Sequence, residues 1–124
     1  MAAGASGALG VALGAFGAHA LKVWLPLQQM TIYETAVRYH LLHTLALLGV
    51  AALGAAVPAR ARALNWVARG FLLGIVLFSG SLYALALTGL SWFGAITPLG
   101  GAAWIAAWAG LAWSFRSGGA PTAG

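Results

Sequence analysis

"GFLLGIVLFSGSLYALALTGLSWFGAITPLGGAAWIAAWAGLAWSF" (residues 70–115) contains no charged side chain. A helix that crosses a bilayer needs about 20 mostly apolar residues, so this stretch is long enough to cross twice. Its middle, "TGLSWFGAITPLGG" (88–101), gathers Gly, Ser, Thr and Pro and reads as the turn between two crossings. The spans fall near residues 71–90 and 96–115.

Two further apolar runs lie upstream. Residues 39–59 form one, closed by Pro58 and Arg60, and residues 2–21 form the other, ending at Lys22. The fold class expected is therefore an all-α membrane protein: four transmembrane helices in a compact bundle, one domain over residues 1–116. "SGGAPTAG" (117–124) reads as a disordered tail. Composition agrees. Of the 124 residues only 6% are charged and 62% are hydrophobic, against roughly 25% charged in an average soluble domain. A chain this small has too much surface to keep in water with so few charges. Lipid must be its main solvent.

The net charge of +5 does not imply a nucleic-acid partner, because the basic residues are scattered and form no stripe that could follow phosphates. They set orientation instead. Arg60, Arg62, Arg69 and Arg116 lie on one side of the expected bundle, Lys22 and Arg38 on the other. The positive-inside rule then puts both termini and the middle loop in the cytoplasm. The chain has no cysteine, which excludes disulfides, thiol catalysis and Cys-ligated metal. Ala18-His19-Ala20 has the form of a signal-cleavage site, but no basic side chain precedes it and the run is full span length. A membrane span is the preferred reading.

Small residues recur at helical spacing: Gly10 and Gly14, Gly70 and Gly74, then Ala102, Ala106 and Gly110. In lipid, helices associate through close backbone approach at such positions. Packing within the chain is favoured over a dimer seam, and a homo-oligomer stays open. Of the six Trp, those at 24, 66, 92 and 113 fall near span ends, as in interfacial belts.

The polar exception is "TIYETAVRYHLLH" (31–43), which holds Glu34, the one acidic side chain. Thr31 and Glu34 have the spacing of a capping box, and Arg38 follows Glu34 by four residues, the favourable order for an ion pair. The structural reading is a cap and ion pair at the start of helix two. On it, truncating Glu34 or Arg38 lowers bundle stability. The functional reading is a polar pocket at the non-cytoplasmic face, drawing on His19, Lys22, His40 and His43. Ser79, Ser81 and Tyr83 in "FSGSLY" are the polar groups at mid-depth and are expected to make interhelical contacts. Bis-His haem ligation in a four-helix bundle is chemically reasonable, but three His without a second acid give weak support. No metal or cofactor is expected.

Four blocks, "GVALGAFGAHALK" (10–22), "YETAVRYHLLHTLALL" (33–48), "LLGIVLFSGSLYALALTG" (72–89) and "ITPLGGAAWIAAW" (96–108), occur in that order. Together they resemble the YgdD-like family, domain-of-unknown-function family 423, across all four spans. The resemblance implies a multi-pass protein of the bacterial inner membrane, and it brings no reaction, ligand or residue role. One departure is the lack of basic residues before helix one. Beside it stands the reading from the residues: a non-enzymatic accessory or scaffold subunit, with the bilayer and a larger respiratory or photosynthetic membrane complex as its partners. The alternative is a small-molecule or lipid-binding or permeation protein that uses the non-cytoplasmic pocket.

Overall fold

The computed structural model describes residues 1–116, all of them in helices or the short links between them. The expected disordered tail lies outside the described residues. The helices are α1 (Ala2–His19), α2 (Leu27–Ala56), α3 (Ala61–Gly74), α4 (Gly80–Thr88) and α5 (Phe93–Arg116). A π-helical turn, Ile75–Ser79, joins α3 to α4, so the two form one rod from Pro58 to Thr88. Among the described residues four rods are long and apolar enough to cross a membrane.

The helices outrun the apolar windows seen in the sequence. Hydropathy marks what lipid will accept, whereas a helix continues for as long as its backbone bonds close. Helix α2 starts at Leu27 rather than near Tyr39, because Gln28, Gln29, Met30 and Arg38 are good helix formers. Pro26, with φ −56° and ψ 151°, stops it from starting earlier, and its carbonyl takes the Met30 N–H at 2.9 Å. At about 1.5 Å per residue α2 is roughly 45 Å long. That exceeds a hydrocarbon core of about 30 Å, so α2 either tilts or extends out of it.

Likewise α5 starts at Phe93 and carries Pro98 inside its second turn. Proline there removes one backbone donor close to the helix start, where few bonds are at stake. The turn expected over 88–101 thus contracts to the few residues after Thr88. Gly89 ends α4 in the left-handed region, at φ 71°, and donates its N–H to Leu85 O at 2.8 Å. Glycine reaches this conformation without the Cβ penalty.

Helix α2 is the centre of the bundle. It packs against α1 on one side and against the α3–α4 rod on the other, and α5 packs against that rod. The buried face of α2 reads Met30, Tyr33, Ala36, His40, His43, Thr44, Leu47 and Val50, a stripe at the three- and four-residue spacing of one helix face. A core of Leu47, Val50, Leu64, Val67, Phe71, Ile75, Trp104 and Ala107 joins α2, α3 and α5. A second cluster of Leu21, Met30, Tyr33 and Ala86 closes the other end.

Two glycines set the approach of α5 to the rod. A Cβ on Gly100 would strike the backbone of Phe78, and one on Gly74 would strike the Trp104 ring. Both contacts are too close for a Cβ: at Gly100 the backbone of α5 meets that of the rod, and at Gly74 the rod makes room for the Trp104 indole.

Candidate functional site

Three buried polar side chains, His40, His43 and Thr44, lie on α2, and two more, Ser79 and Ser81, on the α3–α4 rod. His40 is 2% exposed. Its Nε2 lies 3.1 Å from Ser6 Oγ on α1, and its Nδ1 lies 3.1 Å from the Tyr83 hydroxyl on α4. Ser6 Oγ is in turn 2.6 Å from Thr44 Oγ1. The result is a chain of four side chains from three helices: Tyr83, His40, Ser6, Thr44. A neutral imidazole has one donor and one acceptor nitrogen. The proton count along the chain closes in either direction, with Tyr83 donating to Nδ1 and Nε2 to Ser6, or the reverse.

Around this chain run bonds from side chains to backbone carbonyls. Tyr33 donates to Leu13 O on α1 at 2.7 Å, and Ser79 donates to Ala36 O on α2 at 2.9 Å. Ser81 Oγ lies 2.7 Å from Thr97 Oγ1, tying α4 to α5. Among the described residues no buried side-chain nitrogen or oxygen lacks a hydrogen-bond partner. In a medium without water an unpaired polar group is costly, and each polar residue here has been matched by another helix or by the preceding turn.

His43 is held differently. Its Nδ1 lies 2.9 Å from the Tyr39 carbonyl oxygen. A carbonyl can only accept, so Nδ1 carries the proton and Nε2 is bare. The ring lies flat on Trp104 of α5, and Tyr39 stacks against the same indole with centroids 5.9 Å apart. Trp104 donates Nε1–H to Phe71 O at 3.2 Å. One indole therefore joins α2, α3 and α5.

Two of the groupings expected from the sequence do not form. Thr31 does not cap α2: the helix has already begun at Leu27, and Thr31 Oγ1 donates back to Leu27 O at 3.0 Å. Glu34 and Arg38 are both exposed, and no ion pair within 4.0 Å joins them. The pocket expected from His19, Lys22, His40 and His43 is also not assembled. His19 and Lys22 are exposed at the end of α1, while His40 and His43 are buried. The physical cause is the early start of α2. Thirteen and sixteen residues of helix separate Leu27 from His40 and His43, about 20 and 24 Å along its axis.

Sequence reasoning missed Ser6, Thr44, Thr97 and Trp104 as partners. Ser6 is the one hydroxyl in α1, which could have marked it, because a lone hydroxyl in a lipid-facing run has reason to turn inward. Nothing local marks which indole lies under a histidine. Near Glu34 a cleft of about 180 Å³ is lined by Gly14, Gly17, Tyr33, Glu34, Val37 and Arg38, among others. No group of three His, Asp or Glu side chains converges on a metal-sized site among the described residues.

Residues 13–101 match the family described as "Protein of unknown function (DUF423)". The UPF0382 membrane protein YwdK of Bacillus subtilis is 46% identical over 102 residues, covering 81% of this chain and 80% of that protein. The UPF0382 inner membrane protein YgdD of Escherichia coli K12 is 45% identical over 105 residues, 84% and 78% of the two chains. A UPF0382 membrane protein of Staphylococcus haemolyticus is 42% identical over 100 residues, 81% and 80%. No solved structure matches.

Proposed function

This chain belongs to the DUF423 family, multi-pass proteins of the bacterial inner membrane with no established role, and from that premise we propose that it is a non-enzymatic accessory or scaffold subunit of a larger membrane complex. The observation that supports the reading is the closure of its polar interior. Every buried polar side chain among the described residues is already hydrogen-bonded, most of them to another helix and His43 to its own. Catalytic groups need a partner left open for substrate. Here the histidines and hydroxyls serve to hold four helices in register, as suits a rigid body that others pack against.

The test is native mass spectrometry after gentle extraction from the source membrane. Co-purification with a large complex in fixed stoichiometry supports the subunit reading. A bare protein that carries a defined small mass, lost in a Glu34→Gln/Arg38→Gln variant, favours the pocket reading, which draws on the cleft beside Glu34 and Arg38. At about 180 Å³ that cleft is below the roughly 300–1,000 Å³ of ordinary ligand sites, and the subunit reading is preferred for that reason.

The proposal includes orientation, with both termini and the Arg60–Arg69 segment cytoplasmic. Because the chain has no cysteine, single cysteines at Arg62 and Lys22 can be labelled without background. An impermeant thiol reagent added to intact cells should reach position 22 and not position 62.

A further inference from the structure

A groove of about 480 Å³ runs along the outside of the bundle between α3 and α5. Its floor is Gly70, Ala103, Ala106, Ala107 and Gly110. It opens at one end into a second hollow of about 660 Å³, which shares Ala63, Trp66, Trp113 and Ser114 with it and adds Arg60 and Arg62. Groove and mouth are therefore continuous. One is apolar, the other cationic.

Dimensions and charge narrow the occupant. From Ala63 to Leu73 the groove follows α3 for ten residues, about 15 Å. That is half of a hydrocarbon core of about 30 Å, the depth of one leaflet. Trp66 and Trp113, 65% and 69% exposed, flank the mouth, as tryptophans do at the level of lipid headgroups. The Arg60 guanidinium is held over the Phe115 ring at 4.8 Å, so it stays at the mouth. The only acidic side chain, Glu34, lies in the second turn of α2, and it is the far end of α2, Ala56, that leads to Arg60. No carboxylate side chain is near enough to neutralise the arginines, and a phosphate is the charge they lack.

We propose that this groove binds an anionic phospholipid, with one acyl chain along the α3–α5 floor and the phosphate on Arg60 and Arg62. Basic clusters between transmembrane helices suit such headgroups. The site is at the opposite end of α2 from the Glu34 cleft and does not depend on the accessory-subunit reading.

The experiment is native mass spectrometry of the purified full chain from mixed micelles with equal phosphatidylglycerol and phosphatidylcholine of matched acyl chains. The wild type should keep one phosphatidylglycerol in about tenfold preference. Arg60→Gln/Arg62→Gln should remove the preference, and Lys22→Gln/Arg38→Gln, which deletes the same charge at the other end, should keep it. Ala106→Phe, which fills the groove, should lose both lipids; if that variant fails to fold, the two charge pairs decide alone. Equal retention of the two lipids overturns the proposal. So does a preference that survives Arg60→Gln/Arg62→Gln, or a lipid-free dimer in which a second copy fills the groove.

Discussion

The imidazole of His43 lies on the indole of Trp104 with ring centroids 3.6 Å apart and planes only 4° from parallel. The two residues are on α2 and α5, which otherwise make little backbone contact. Together with the Tyr39–Trp104 stack, this contact directly links α2 to α5, the second and fourth membrane spans. Trp104→Ala removes it together with the bond to Phe71 O, and a buried Trp→Ala change costs about 3–5 kcal/mol. In a double-mutant cycle of His43→Leu and Trp104→Phe, followed by loss of helical circular dichroism in SDS titration, the coupling should be about 0.5–1.5 kcal/mol. Strict additivity would show that the rings are only neighbours.

The Tyr83–His40–Ser6 chain predicts a second coupling. Removing His40 leaves the Tyr83 hydroxyl without its partner and Ser6 with Thr44 alone. Interhelical bonds in membranes are modest, about 0.6 kcal/mol on average and up to about 1.7. A cycle of His40→Phe and Tyr83→Phe should give a coupling within that range. Because Ser6 bonds the other ring nitrogen, Ser6→Ala with His40→Phe should couple as well, whereas Ser6→Ala with Tyr83→Phe should couple less, since those two meet only through the ring.

Gly100 and Gly101 are adjacent and should behave in opposite ways. A Cβ on Gly100 strikes the Phe78 backbone, whereas one on Gly101 meets Phe78 Cδ2 at an ordinary 3.9 Å. Overpacking costs about 1–3 kcal/mol, so Gly100→Ala should lose at least that in the same titration. Gly101→Ala should be neutral or stabilising, because alanine favours the helix. Equal effects would mean that α5 does not sit at this distance from the rod.

Glu34→Ala and Arg38→Ala, singly or together, should leave stability within about 0.5 kcal/mol, the usual range for surface changes. This reverses what the T-x-x-E pattern suggested. A loss well above that in either variant would show that the two side chains pair in the bilayer.

What the sequence determined by itself is the class of the molecule and its number of spans. Uncharged runs longer than a bilayer is thick, separated by arginines and turn residues, admit only spanning helices, because backbone groups in lipid must be satisfied within the segment. The blocks from Gly10 to Trp108 carried the family as well. What only the tertiary structure decided is which polar residues meet. Thr31, Glu34 and Arg38 matched local motifs, yet α2 had already begun at Leu27, directly after Pro26, and all three lie on its outer face. His40 and His43, three residues apart, went to different partners, one to hydroxyls on α1 and α4 and one to an indole on α5. Those partners lie 34 to 61 positions away along the chain. No local pattern encodes them, because they follow from how the helices rotate about their axes when the small residues of one let the backbone of another approach.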